Sequence, residues 1–562
     1  MNKNVLTAAT CFWLFLSLFL VYMVGLFVPL MDQDASHHAN IALHMYQQHD
    51  YVNLIDDTGK DYLDKPHLHF WLAALSFNIF GVHDFAYKLP SFLMTILAVY
   101  ATYRLGRLLY HNKQVGLISA LIFASSQAEI LANNDVRMDA LLVSGIVLAI
   151  WQLTEAAYFD KWYNYLLGAF GLAIGFTAKG MIGFIMPCIA ICWLPVYQRN
   201  WKKLFNWKWL TVLILFALFI APCLYCYYLQ FDLHPEKVVR GMKHVSGVKF
   251  ILWNQNFERL QGKGWGNAHK DYFFFFHTEL WAFLPWSLLT YFAFIDRIAF
   301  FIKNRFRYFK SMEFLTVGTI VFIFAIISSS SYQLPHYLNV LFPIFAIITA
   351  GELVTIAAAN KQKVLSRLLK VQYFVIIVIL VLLVLINAWY FPLHSWLISA
   401  ITFILLAALG YTVFNEKLPL KKLVIASVLT AAITNILLNG NFYPQLINGY
   451  QSGIGLSKIV KEKGIPVNSI YNYYNHNESF NFHTRHLTPF IGIGGIKSKT
   501  TQHQPMWLFT TAQSKADLIK NSFKIIESYN YNSYRVTRLT PKFLNPKTRA
   551  QTVEQDYLVR VQ

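Results

Sequence analysis

The chain has 562 residues, is 56% hydrophobic and 17% aromatic, and is only 14% charged, with a formal charge of +20. A soluble domain carries about 25% charged residues, so this composition excludes a water-soluble protein and points to lipid. The basic surplus lies in short loops between apolar runs, which excludes a continuous nucleic-acid-binding face and matches the Lys/Arg bias of cytoplasmic membrane loops.

Apolar runs of roughly 18–24 residues recur along the chain, the length that crosses a hydrocarbon core as helix, and counting them predicts about thirteen spans. The first, residues 6–30, follows Lys3 and lacks a small-x-small cleavage site, so it reads as a retained anchor. Directly after it stands MDQDASHHAN, residues 31–40, with two carboxylates and two histidines. Asp34 opens a stretch with Ala39, Ala42, Leu43 and Met45 at helical spacing, an expected interfacial helix. Asp34 could be only its N-cap, but Asp32 and Asp34 together at a bilayer edge, where a carboxylate is costly, favour a site. Next comes Tyr62-Leu63-Asp64-Lys65-Pro66. It reads either as a surface ion pair at a helix start or as a lysine at headgroup depth that binds phosphate as a point charge. The marginal run 67–80 is expected to lie in the interface.

Asp139 closes NNDVRMD (residues 133–139) and starts an apolar helix, where capping again competes with a site. Lys179-Gly180 separates two apolar runs, and a snorkelling lysine is the plain alternative there. The long loop 231–271 brings Asn256, Glu258, Arg259, His269 and Lys270, and Ser331 to Tyr337 reads SYQLPHY. All five cysteines fall in apolar runs; Cys223 and Cys226 have C-x-x-C spacing but no other ligand nearby, so packing is their expected role.

With the N-terminus in the cytoplasm, every basic connection falls inside. These carry Arg104, Arg107 and Lys113; Lys161; Arg199, Lys202 and Lys203; Arg297, Lys303, Arg305, Arg307 and Lys310; Lys361, Lys363, Arg367 and Lys370; and Lys417, Lys421 and Lys422. The stretches that look chemical, 32–66, 133–139, 179–180, 230–271 and 333–336, then all face the exoplasmic side, as does the tail. The expected division is a membrane domain over residues 1–440, with catalytic loops 31–66 and 231–271, and an exoplasmic α/β domain over 441–562. In that tail SIYNYYNHNESFNF and MWLFTT read as strands, and Ser514 reads as a helix cap with Asp517 in the first turn. The tail carries no chemical motif, and the chain shows neither repeat nor low-complexity segment. An acidic and a cationic patch converging on one membrane face suit an enzyme acting on a lipid phosphate: cations neutralise the departing phosphate, and a carboxylate handles the acceptor.

The order of these motifs resembles the GT-C fold integral-membrane glycosyltransferases, in the bacterial branch of the protein O-mannosyltransferases and the lipid A aminoarabinose transferase. The resemblance covers about the first 360 residues. It rests on Asp34 with Ala39, Ile41 and Ala42; Asp64-Lys65-Pro66 with Phe70-Trp71; Asp139 in RMDALL; Lys179-Gly180; Arg259 with Ala268-His269-Lys270; Leu284-Pro285-Trp286; and Leu334-Pro335-His336-Tyr337. Two positions depart from the pattern: Ala35 stands where the family has an acidic partner, and Gln333 where a lysine often precedes Leu-Pro-His-Tyr. The first leaves Asp32 as a substitute carboxylate.

The resemblance implies a mainly α, polytopic enzyme of the bacterial inner membrane with its C-terminal domain in the periplasm. It implies transfer of a sugar, with inversion, from an undecaprenyl-phosphate-type donor to a lipid A-like, protein or glycan acceptor. Asp34 is then the catalytic carboxylate, with Asp32 and Asp139 beside it; Lys65, Arg259, Lys179 and His269 hold the donor phosphate; Asp64, His336 and Tyr337 support the site. The expected partners are membrane lipids and the two substrates, with no nucleic acid, and the expected state is a monomer. No cofactor is called for. A divalent metal stays open, because Asp32, Asp34, His37 and His38 are ligand types, although adjacent histidines on a helix point apart. Two other readings compete: a transporter or flippase of lipid-linked sugars, which calls for polar groups near the bilayer midplane and repeated halves, and a non-catalytic partner subunit, whose mark would be loss of Asp34 or Lys65.

Overall fold

The computed structural model describes residues 5–31, 33–255, 258, 271–310, 312–501 and 506–562. It is mostly helical, as lipid demands, because every backbone amide in hydrocarbon must be paired within its own segment. Among the described residues eight helices are long and apolar enough to cross a bilayer, or nine if one bent pair is a single span; three shorter apolar helices accompany them. The protein is a multi-pass membrane protein.

Helix α1 (Ala8–Leu26) is capped by Thr7, whose hydroxyl accepts the Thr10 amide at 3.2 Å. Helix α2 (Asp34–Gln48) begins with Asp34 itself; Gln33 occupies the cap without a side-chain bond, so the Asp34 carboxylate is not used for capping. One side of α2 buries Ala35, Ala39, Ala42 and Leu43 against α3 (Leu68–Phe80). The chain continues through α4 (Asp84–Tyr110), α5 (Lys113–Ala124) and α6 (Gln127–Asn134), the last two bent by 51°.

The central feature is an antiparallel hairpin of α7 (Asp139–Phe159) and α8 (Trp162–Lys179), turned by Asp160 at φ 56°. Its backbones touch through glycines: a Cβ on Gly171 would lie 2.6 Å from the Ala149 nitrogen, and one on Gly145 would strike the Gly175 nitrogen. Small residues allow this closeness, which is how membrane helices gain packing where lipid offers no hydrophobic drive. The register so fixed brings the first residue of α7 beside the last of α8. Gly180 then turns the chain at φ +79° into α9 (Ile182–Tyr197), a conformation that only glycine adopts without strain.

Arg297 corrects an expectation. It is not a loop signal of topology; it lies inside the helix Ser287–Lys303, buried, with its guanidinium 2.9 Å from Glu352. Burial next to a carboxylate makes it an internal pair.

Amide side chains join the front of the chain to its later helices. Gln127 and Asn435 exchange hydrogen bonds at 3.1 and 3.0 Å, the Asn134 amide donates to Asn439 at 2.7 Å, and the Asn439 amide donates to the Val21 carbonyl at 3.1 Å.

The composition change at residue 440 falls within a continuous helical stretch, Pro419–Tyr450. Beyond it lies a four-stranded sheet of order β1-β2-β4-β3, from β1 (Ile470–Asn472), β2 (Met506–Thr511), β3 (Ile525–Ser533) and β4 (Glu554–Val561). The first pair is parallel and the others antiparallel, with Leu508 opposite Val559 and Tyr529 opposite Leu558. One face packs Trp507, Phe509 and Leu558 against Leu456 and Phe480; the other packs Leu508 and Val559 against Ile496 and Leu518. MWLFTT is strand β2 as expected. SIYNYYNHNESFNF is not one strand: only three residues pair, and Glu478–Thr484 is a helix because Asn477 accepts the Phe480 amide at 2.9 Å, an N-cap that overrides the aromatic strand preference. The later helix, Ala512–Lys520, starts ahead of Ser514; Thr511, still extended at the strand end, caps it by accepting the Ser514 amide at 3.2 Å.

The tail rests on α2. The Asn40 amide donates to the Glu478 carbonyl at 2.8 Å, and Gln47 to that of Arg485 at 2.8 Å.

Candidate active site

A cavity of about 610 Å³ opens where the α7–α8 hairpin, α2 and the loop before α3 meet. Asp34, Asp64, Lys65, Asp139, Lys179, His336 and Tyr337 all line it. Asp32, Arg259 and His269 lie outside the described residues, as do Asn256 and Lys270.

The hairpin register supplies the floor. Lys179 Nζ stands 2.6 Å from Asp139 Oδ1, with the two side chains only 7% and 5% exposed. Lys179 therefore does not snorkel; it is paired inward, with its ammonium 5.2 Å from the centre of the Tyr337 ring, an attractive cation–ring contact.

Asp34 projects from the first turn of α2 and keeps 60% of its side chain exposed. Arg137 reaches it at 2.9 Å and grips Asp135 at 2.8 Å with its other amino group. A planar guanidinium can hold two carboxylates in fixed geometry in a way that an ammonium cannot. The candidate carboxylate is thus aimed into the cavity rather than left to rotate.

Lys65 lies on the segment ahead of α3, which is tied down at several points. Tyr227 donates to the Leu63 carbonyl at 3.3 Å, Gln255 donates to the Asp64 carbonyl, and Arg240 lies 3.9 Å from the Asp64 carboxylate and 3.0 Å from Glu258. The buried His38 ring meets the Tyr62 hydroxyl at 3.2 Å, and burial pushes its pKa well below the usual imidazole value.

His37 points elsewhere. Its Nδ1 stands 3.4 Å from Asp57, a carboxylate only 1% exposed, while His476 of the tail approaches the same carboxylate at 2.9 Å. Burial works against charge on both imidazoles, but the hydrogen bond and charge of Asp57 outweigh it and raise both pKa values. Burial alone would raise Asp57; the two imidazoles hold it far below the carboxylate range instead. The adjacent histidines thus serve different partners. Among the described residues no group of three or more His, Cys, Asp or Glu is placed to hold a metal ion.

Sequence reasoning missed Arg137, Asp57 and His476. Arg137 left a usable signal, an arginine two residues from both Asp135 and Asp139 at a membrane helix start. His476 left none, because its partner is 419 residues away. Leu284-Pro285-Trp286 lies apart from the cavity: Trp286 is buried and donates to the Ser125 hydroxyl at 2.9 Å. Gln333 accepts the Asp271 amide at 3.2 Å.

Residues 64–225 match the family described as dolichyl-phosphate-mannose-protein mannosyltransferase. ArnT from Cupriavidus metallidurans, in a crystal structure bound to undecaprenyl phosphate, superposes with a TM-score of 0.73 over 99% of this chain and 98% of that one, at 14% identity. This is the GT-C fold. The apo crystal structure of that ArnT gives 0.71 at 15% identity over the same shares, so the GT-C likeness runs through the tail. In sequence, the undecaprenyl phosphate-alpha-4-amino-4-deoxy-L-arabinose arabinosyl transferase of Pseudomonas aeruginosa PAO1 is 26% identical over 287 residues, 50% of this chain and 49% of that protein. The enzyme of the same description from Wigglesworthia glossinidia brevipalpis is 24% identical over 357 residues, 62% of this chain and 59% of its own. The chain thus spans about half the length of the curated relatives it matches in sequence, whereas the GT-C architecture extends over nearly all of it.

Proposed function

We propose that the chain is a membrane glycosyltransferase that moves a sugar from a polyprenyl-phosphate donor to an acceptor at the mouth of this cavity. The observation that carries this reading is one chamber containing both an exposed, guanidinium-held carboxylate, Asp34, and the cationic residues Lys65 and Lys179, at the end of the membrane helices. The donor class is supported by the curated arabinosyl transferases and by the ArnT structure bound to undecaprenyl phosphate.

Lys65, with Arg259 and His269, neutralises the phosphate as the bond to the anomeric carbon breaks. Asp34 accepts the proton of an acceptor hydroxyl, or orients the acceptor when that group is already a phosphate. A single displacement from the face opposite the phosphate inverts the anomeric carbon. Asp139 and Lys179 keep the floor rigid; Asp64, His336 and Tyr337 shape the wall, and Asp32 takes the part of a second carboxylate. The acceptor is a lipid A-like glycolipid, a protein or another glycan, met on the periplasmic side of a bacterial inner membrane.

Asp34→Asn and Lys65→Ala are expected to lower transfer from a labelled undecaprenyl-phosphate sugar by about 10²-fold or more, with normal amounts of folded protein in the membrane. Wild-type transfer rates in both purified variants overturn the assignment.

A further inference from the structure

Residues 528–553 contain no Asp or Glu but carry Arg535, Arg538, Lys542, Lys547 and Arg549. The segment is built onto a membrane helix. Val536 and Phe543 are buried with Phe391, Phe442 and Leu446. Arg549 donates to the carbonyls of Tyr390, Phe543 and Leu544 at 2.7, 2.9 and 2.9 Å and lies 4.1 Å over the Phe391 ring. Tyr534 stacks on Phe543 with 3.8 Å between ring centres and donates to the Arg538 carbonyl at 3.0 Å. Arg549 is thus the structural cation, and the other four stay exposed, with no ion pair among the described residues.

The anchoring point sets the depth. Tyr390 and Phe391 lie where the apolar helix Gln362–Tyr390 ends, five residues before the next apolar helix, Trp396–Asn415, begins. Trp389 and Trp396 flank that turn, 54% and 79% exposed, and exposed tryptophans at both ends of such a turn mark the headgroup layer. No acidic residue occurs in 386–396 or 438–450 either. Four exposed cations, without an ion pair among the described residues, thus ride on a segment braced to that turn.

We propose that residues 534–549 form a headgroup-binding surface for anionic phospholipids of the leaflet on the cavity's side. It holds the tail against the bilayer and is separate from the cavity. The attraction is electrostatic and falls away within a Debye length, so it weakens with salt.

Full-length protein, delipidated in detergent and offered equal phosphatidylglycerol and phosphatidylcholine, is expected to retain phosphatidylglycerol preferentially in native mass spectrometry. The quadruple variant R535Q/R538Q/K542Q/K547Q should lose that preference by at least about fivefold. The variant K461Q/K463Q/K520Q/K524Q, with the same charge change elsewhere on the tail, should keep it. Equal loss in both variants, no preference in the wild type, or suppression by millimolar inorganic phosphate but not by chloride of the same ionic strength overturns the proposal. If the quadruple variant misfolds, the R535Q/R538Q pair decides between the same outcomes, with about half the effect expected.

Discussion

At the scale of single residues, the site depends on how its charges are paired. Arg137 holds Asp34 and Asp135 at once, so Arg137→Lys preserves charge and loses the two-pronged grip. It should lower kcat by about 10–100-fold with a smaller change in donor KM, read by steady-state kinetics, because a carboxylate misplaced by about 1 Å can cost that much. Lys179→Met leaves the Asp139 carboxylate buried without its counter-charge, which destabilises by about 3–5 kcal/mol. The double variant D139N/K179M should recover part of the lost thermal stability, and a purely additive cycle would refute coupling between the two. Asp34, Lys65, Asp139 and Lys179 were legible in the sequence because a charged residue beside an apolar run is conspicuous. Arg137 hid in plain view: its neighbours in the chain suggested a helix start, and only the fold brings Asp34 to it from α2.

At the scale of elements, the α7–α8 hairpin carries the floor of the cavity, and its glycines set the spacing. Gly171→Leu would force the backbones apart and should abolish both activity and the sharp unfolding transition, whereas Gly410, with open space where its Cβ would go, should tolerate Ala. The tail docks on α2 through Asp57, and the sign of its pH dependence follows from the shifts. His37 and His476 are raised, so their contribution is complete below about pH 6.5 and is lost as the pH climbs through their folded values. Asp57 is depressed, so its contribution is present above about pH 3.9 and fails only in strong acid. The stabilisation that Asp57 lends, read as the Tm difference between the wild type and Asp57→Asn, should therefore be greater near about pH 6 than near about pH 8.5. The strand MWLFTT was legible from composition, and the Glu478–Thr484 helix was not, since one asparagine cap outweighed a run of aromatic residues that favour strands.

At the scale of the whole molecule, the apolar runs made the membrane architecture readable, because hydrocarbon leaves a chain few options. What stayed hidden was every contact between distant segments, such as His476 on Asp57 or Asn40 on the Glu478 carbonyl, since no local pattern encodes a partner hundreds of residues away. The amides that link Gln127 to Asn435 and Asn134 to Asn439 are of the same long-range kind. Lipid tails cannot replace a lost amide bond, although each such bond contributes only about 0.6 kcal/mol on average. A chain severed between residues 415 and 419 would present matched polar patches on two otherwise greasy fragments. Produced together in one cell, such halves should find each other and copurify, and replacing Gln127 and Asn134 with leucine should lower the copurified yield without abolishing it, since the tail still docks on α2.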